Sequence, residues 1–90
     1  MKITNHANIR MKERVKLNRK ERKEMFRLAL RLGQAPYNIK NNFELRQFLY
    51  SKENRRMRVK LYKNYVFVYT KRSKRLVTMY ELPSKFLEEE

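Results

Sequence analysis

The spacing of the apolar residues changes once along this chain, close to Asn54. Before that point apolar side chains recur every three or four positions, as in Ala7, Met11 and Val15, which is the period of an α-helix. After it they alternate with polar ones, as in "MRVKLYK" (57–63), which is the period of a β-strand. The sequence therefore predicts helices packed on an antiparallel meander of three strands, or four strands if residues 2–4 join them. This is an α+β domain.

Polar residues predict where the first two helices begin. Thr4 or Asn5 can cap a helix that starts near His6. Asn18 with Glu21 has the capping-box pattern for a second helix. Whether the chain bends between the two or continues as one helix stays open at this point.

The second helix is expected to end at Gly33, with Pro36 preventing its continuation. Asn41 with Glu44 is a further capping signal, and it precedes a short amphipathic helix over "FELRQFLY" (43–50). The apolar residues that suggest this third helix are Phe43, Leu45, Phe48 and Leu49.

The strand "YVFVYT" (65–70) is apolar on both faces, so we expect it at the centre of the sheet. Residues 63–64 and 72–74 are short enough to be hairpin turns. Alternation along residues 75–82 places four side chains on one face of the last strand: Leu76, Thr78, Tyr80 and Leu82.

Positive charge dominates the composition. The chain of 90 residues has 24 basic and nine acidic residues, a net charge of +15. Residues 1–87 are expected to form one domain, and Glu88–Glu90 a short acidic tail. Because self-repulsion on this scale needs a polyanion to offset it, nucleic acid is the expected partner.

Several classes of protein are excluded by what the sequence lacks. It contains no cysteine, no aspartate and one histidine, so we expect no disulfide, no zinc site and no cofactor. No apolar run approaches the 18 residues of a membrane span, and no membrane partner is expected. A reducing cytoplasm is the predicted location.

The stretch "ITNHANIRMKER" (3–14) contains the only histidine. On a helix His6, Arg10 and Arg14 lie within about 80° of one another, away from the apolar stripe. Such a set suits RNA cleavage without a metal, because imidazole can move the proton of an attacking 2′-hydroxyl and guanidinium can stabilise the phosphate. A basic helix that only binds phosphates is the alternative, and the spacing by itself favours that alternative over catalysis.

"ITNHANIRMKER" resembles the opening of a family of small bacterial and phage domains with a Thr-x-His-Ala-x-x-Arg motif. "RLVTMYELP" (75–83) is similar to that family's closing strand, and "YKNYVFVYT" (62–70) to its central strand. The resemblance covers residues 3–15 and about 59–83, and leaves 34–57 as an inserted segment. These domains are similar to the barnase, EndoU, colicin and RelE (BECR) fold group of metal-independent RNase toxins.

The resemblance implies that the partner is RNA more than DNA. It also implies a catalytic site formed by His6, Arg10, Thr78 and Tyr80. It requires the strand face that carries Thr78 and Tyr80 to turn toward the helix that carries His6. The alternative is that this face is simply core.

A second set of basic residues extends beyond this site and is interleaved with Tyr62, Tyr65, Phe67 and Tyr69. These aromatic residues can stack bases or fill the core, and Phe67 is expected in the core. The residues predicted to contact nucleic acid are Arg14, Arg19, Arg22, Lys23, Arg55, Arg56, Arg58, Lys60, Lys63, Lys71, Arg72, Lys74 and Arg75.

Three functions fit these features. The first is a toxin-like, metal-independent endoribonuclease, whose expected partner is an acidic antitoxin or immunity protein. The second is a non-catalytic nucleic-acid-binding accessory protein of a phage or mobile element, which could also inhibit a host nucleoprotein complex. The third is a structural protein that binds ribosomal RNA.

Overall fold

The computed structural model describes residues 3–86. Residues 1–2 and 87–90 lie outside the described part, and with them the predicted acidic tail and the first residue of the predicted 2–4 segment. In chain order the elements are α1 (Asn5–Val15), α2 (Arg19–Leu32), a 3-10 turn (Pro36–Asn38), α3 (Phe43–Tyr50), β1 (Met57–Tyr62), β2 (Tyr65–Thr70), β3 (Leu76–Glu81) and a second 3-10 turn (Ser84–Phe86).

The predicted α+β class is confirmed. The three strands form one antiparallel sheet in the order β1-β2-β3, with β2 in the centre as its two-sided apolar pattern predicts. Residue Ile3 of the proposed fourth strand makes only an isolated parallel bridge to Leu76. Within residues 3–86 no helix is long and apolar enough to cross a bilayer.

The helix starts follow the capping residues, with one shift. Thr4 caps α1, because its hydroxyl oxygen accepts a hydrogen bond from the amide of Ala7 at 3.2 Å. Asn18 and Glu21 form the predicted capping box of α2. The cap of α3 is Asn42 and not the predicted Asn41, since it is the side chain of Asn42 that accepts from the amide of Leu45.

α1 and α2 are separate helices. Lys16 ends α1 in the left-handed conformation with φ 51°, which turns the chain out of the helical path. Both helices then pack on one face of the sheet, where Phe26 of α2 stacks on Phe67 of β2 with ring centroids 6.4 Å apart. Leu32 is exposed, so the buried face of α2 is centred on Phe26 and Ala29 and ends before the last turn.

The other face of the sheet is covered by α3 and the two 3-10 turns. Leu45 and Leu49 of α3 are buried in one hydrophobic cluster with Val66 and Val68 of β2. Residues 34–57 thus supply the second layer of the domain, and both faces of the sheet are covered. Phe43 is an exception, because it points out of this layer and is exposed.

A β-bulge at Val77 changes the predicted faces of β3. Val68 pairs with Thr78 but its neighbour Tyr69 pairs with Leu76, so Val77 is an extra residue in β3. Leu76 therefore packs with α1 and α2, whereas Thr78 faces the α3 layer. Strict alternation had placed Leu76 and Thr78 together, and the bulge makes that prediction wrong.

The outer edge of β1 is covered by the chain itself. Gln34 and Leu61 exchange two backbone hydrogen bonds, of 2.9 and 2.8 Å. The amide of Val59 donates to a carboxylate oxygen of Glu53 at 3.1 Å. These contacts satisfy edge groups that would otherwise be available to another strand.

Gly33 lies where α2 meets this edge. Its φ of −70° and ψ of 166° are open to any residue, so its small size and not its conformational freedom is what the site requires. A Cβ atom here would collide with the carbonyl oxygen of Ala29 and lie 3.1 Å from both the Leu61 oxygen and the Lys60 Cβ.

We expect Gly33→Ala to lower the free energy of unfolding by about 1–3 kcal/mol, because backbone must move to admit the methyl group. Urea unfolding followed by circular dichroism measures this. Gln34→Ala is the control, since it keeps the backbone bridge and should stay within about 0.5 kcal/mol of wild type. Equal stability of Gly33→Ala and wild type would contradict the close packing.

Candidate nucleic-acid interface

The His6 face of α1 forms as the spacing predicts. His6, Arg10 and Arg14 lie on one side of a regular helix, one turn apart. His6 is exposed, Arg10 is half-buried, and the Nε atom of Arg14 is shielded from solvent without a hydrogen-bond partner among the described residues. This face can present one imidazole and two guanidinium groups to a ligand.

Thr78 and Tyr80 are on the opposite side of the sheet from α1. Thr78 pairs with Val68 and Tyr80 pairs with Val66, and both valines belong to the α3 layer. Cross-strand partners share a face, so the Thr78 and Tyr80 side chains point toward α3. The structure therefore does not bring the four predicted catalytic residues together, and the face of β3 that was expected to turn toward His6 turns away from it.

Tyr80 has a packing role on that far face. The ammonium group of Lys52 lies 5.2 Å from the ring centroids of both Tyr80 and Phe48, so it sits between two aromatic rings. Phe48 in turn contacts Phe86 at a centroid separation of 5.5 Å. Thr78 is buried beside this cluster.

The densest positive charge lies at the end of the sheet where β1 begins, β2 ends and β3 begins. The amide of Lys71 donates to the carbonyl of Arg56 at 2.8 Å, and the amide of Thr70 donates to the carbonyl of Arg75 at 2.9 Å. These bonds bring together six basic residues, which we call the basic end: Arg55, Arg56, Lys71, Arg72, Lys74 and Arg75. All six are exposed.

A groove of about 580 Å³ runs across the basic end. Arg55 and Arg56 line one side, and Lys71 and Arg72 line the other. The hydroxyl groups of Thr70 and Ser73, 2.6 Å apart, complete its lining. The four cations can donate to phosphate oxygens, as can the one hydroxyl hydrogen that the Thr70–Ser73 hydrogen bond does not use.

A second basic groove adjoins the start of α1, with a volume of about 530 Å³. Arg19 and Lys23 of α2 meet Arg75 of the basic end here, beside Asn5 and Asn8. We call it the α1 groove. Arg75 lines this groove and also belongs to the basic end, so the two surfaces are continuous through it.

Three of the predicted nucleic-acid contacts make hydrogen bonds inside the protein: Arg22, Arg58 and Lys74, whose ammonium group donates to the carbonyl of Lys71 at 3.1 Å. The Nε of Arg22 donates to the Asn8 side chain at 3.0 Å and its NH1 to the Leu17 carbonyl at 2.6 Å, which joins α2 to α1. The NH1 of Arg58 donates to the carbonyls of Asn54 and Met57. The guanidinium groups of Arg22 and Arg58 therefore stabilise the fold.

Two predicted lysines also lie apart from the basic end. Lys63 is in the β1–β2 hairpin, with φ 50° before Asn64 at 66°, at the opposite end of the sheet. Lys60 is half-buried, and its Cβ faces Gly33 at the end of α2.

Acidic groups scarcely neutralise this surface. Between Asn54 and Tyr80 the chain carries nine basic residues and no acid. Within residues 3–86 one ion pair forms, between Glu24 and Arg27 of α2, and it is exposed. The positive field of the basic end is therefore available to an external anion.

The aromatic residues of the strands are core. Phe67 and Tyr69 are buried beneath α1 and α2, and Tyr62 and Tyr65 pack against the same cluster. Burial, with the nearby Glu53 carboxylate, raises the pKa of the Tyr69 phenol, which is consistent with a neutral core residue. Phe67 and Tyr69 therefore fill the core and are not available to stack bases, whereas Tyr62 and Tyr65 are only partly buried.

Sequence reasoning missed the aromatic side chains that are exposed. Phe43 is 72% exposed and Tyr50 39% exposed on α3, and Tyr37 is 65% exposed in the 3-10 turn before it. The sequence does indicate that two of these rings are exposed. Phe43 and Tyr50 are seven residues apart and fall opposite Leu45 and Leu49 on a helical projection.

We expect Thr78→Val and Tyr80→Phe to match wild type in RNA binding and in any RNA cleavage in EDTA, because the sheet separates both side chains from α1. His6→Ala and Arg10→Ala, assayed beside them on labelled RNA, test the α1 face by itself. If Tyr80→Phe abolished cleavage to the same extent as His6→Ala, both residues would act on one phosphodiester and the assigned geometry would be wrong.

Comparisons of the chain with protein-family models, with curated proteins and with solved structures found no match. The resemblance of residues 3–15 and 59–83 to the RNase-toxin fold group stays a prediction from the residues themselves. The interpretation of the two basic grooves rests on their geometry and charge.

Proposed function

We propose that this protein binds nucleic acid, and RNA before DNA, by gripping the phosphate backbone at its basic end. The observation that carries the proposal is the convergence of six exposed cations at one end of the sheet with no acid between Asn54 and Tyr80. When Lys and Arg side chains bind phosphates, the phosphates release their counterions. This release supplies most of the free energy of such binding.

Two adjoining basic grooves, and no freely projecting basic helix within residues 3–86, are the reason to propose an unpaired chain over a straight duplex. A phosphate backbone could contact the groove lined by Arg56 and Lys71 and continue past Arg75 into the α1 groove. Reading a duplex major groove usually takes a free helix or strand pair. α2 is the most basic helix, but Arg22 braces α1 and Arg27 is paired with Glu24.

Metal-independent RNA cleavage is a second candidate, and it rests on α1 alone. His6 is exposed and Arg10 is one turn away on the same face. An imidazole there can accept the proton of a 2′-hydroxyl while the guanidinium holds the phosphate. The Thr78 and Tyr80 hydroxyl groups take no part in this proposal.

We expect the triple variant Arg55→Gln, Arg56→Gln, Arg72→Gln to bind a 12-nucleotide single-stranded RNA much more weakly than wild type. Each phosphate contact contributes about −0.7 to the slope of log K against log salt for a single strand, so the slope should become shallower by about 2. Fluorescence anisotropy at several salt concentrations measures both the affinity and the slope.

The matched control removes three charges elsewhere, with Arg31→Gln, Lys40→Gln and Lys63→Gln. All three residues are exposed and lie outside both basic grooves. Its net charge equals that of the first variant, so any long-range effect is the same for both. Equal losses of affinity in the two variants would contradict a defined site and indicate attraction by net charge only.

A further inference from the structure

α3 presents a row of side chains that the core does not use. Phe43, Arg46, Gln47 and Tyr50 fall within about 100° on the helical projection, and we call them the α3 stripe. They are all exposed. The buried residues Leu45 and Leu49 lie on the other side of the helix.

No packing contact within the described residues accounts for the two aromatic rings. Phe43 belongs to neither buried cluster, nor does Tyr50. The guanidinium carbon of Arg46 lies 5.6 Å from the centroid of the Tyr50 ring, so two flat groups are already associated at the surface. Aromatic rings and guanidinium planes are the groups on which proteins stack unpaired bases.

The α3 stripe is tied firmly to the basic end. The amide of Glu53 donates to the carbonyl of Tyr50 at 3.0 Å, which ends α3 in a tight turn. The side chain of Asn54 then accepts from the amides of Arg56 and Met57 at 2.8 and 3.0 Å. This connection leads in five residues from Tyr50, at the C-terminal end of the stripe, to Arg55 of the basic end, so the two surfaces are close along the chain.

We propose that the α3 stripe stacks unpaired RNA bases, and that the protein selects single-stranded over duplex RNA through it. This inference rests on the proposed function, since the basic end supplies the contacts to the phosphates. Phe43 and Tyr50 are about 10 Å apart along the helix, which leaves room for more than one base. Bases in a duplex are stacked on one another and cannot reach these rings.

The occupant follows from charge and chemistry. A positively charged domain repels a second copy of itself, which disfavours self-association through this face. A single strand offers both the phosphates that suit the basic end and the flat faces that suit Phe43 and Tyr50.

The test is the double variant Phe43→Leu, Tyr50→Leu, which keeps apolar side chains but removes the rings. Tyr37→Leu is the matched control, because Tyr37 is an exposed aromatic residue outside the stripe. Binding is measured by anisotropy to a 12-nucleotide RNA without self-complementarity, and to the same strand annealed to its complement.

Wild type should prefer the single strand, and the double variant should lose at least tenfold in affinity for it while changing less than twofold on the duplex. An equal loss on both RNAs, no loss on the single strand, or the same loss in Tyr37→Leu would overturn the inference. The charge variants described above report separately on the basic end. If they lose affinity while the double variant does not, the proposed function stands and base stacking on α3 is wrong.

Discussion

Backbone hydrogen bonds at one end of the sheet hold together segments that would otherwise repel each other. Lys71 bonds to Arg56, Thr70 to Arg75 and Thr4 to Leu76, all at 2.8–3.0 Å. Each close pair of exposed like charges costs about 0.5 kcal/mol in water, and salt reduces that cost. The two apolar layers on the faces of the sheet offset it, so the core imposes the arrangement of charge. Because a phosphate backbone removes the repulsion, binding should also stabilise the fold.

The extent to which the sequence predicts this structure depends on how local each feature is. The capping box at Asn18, the two-sided strand 65–70 and the hairpin at 63–64 depend on neighbouring residues, and all three are confirmed. The bulge at Val77 depends on how β3 meets both β2 and Thr4, whose hydroxyl donates to the Val77 carbonyl at 3.2 Å. The sequence of β3 alone does not show that contact, so the prediction from strict alternation is wrong there.

The candidate site shows the same difference between local features, which the sequence predicts, and tertiary contacts, which it does not. The basic residues could be listed from composition, but their roles follow from tertiary contacts. Arg22 and Arg58 brace the fold, whereas Arg56 and Lys71 meet only because β1 and β2 pair. The face of α1 with His6, Arg10 and Arg14 forms as predicted, because the positions of side chains around a helix depend only on local spacing. Thr78 is separated from it because the face of a strand is decided by register.

The fold leaves its rims, and not the faces of the sheet, for the proposed contact with nucleic acid. Helices cover both faces of the sheet, and β1 is blocked at its outer edge by Gln34 and Glu53. The basic end, the α1 groove and the α3 stripe are exposed surfaces outside these covered regions. The most direct test of the account is an amide chemical-shift titration of the labelled protein with single-stranded RNA. The account predicts the largest shifts at residues 55–56 and 71–75, with little change at the 63–64 hairpin. Largest shifts at that hairpin, with the basic end unchanged, would contradict it.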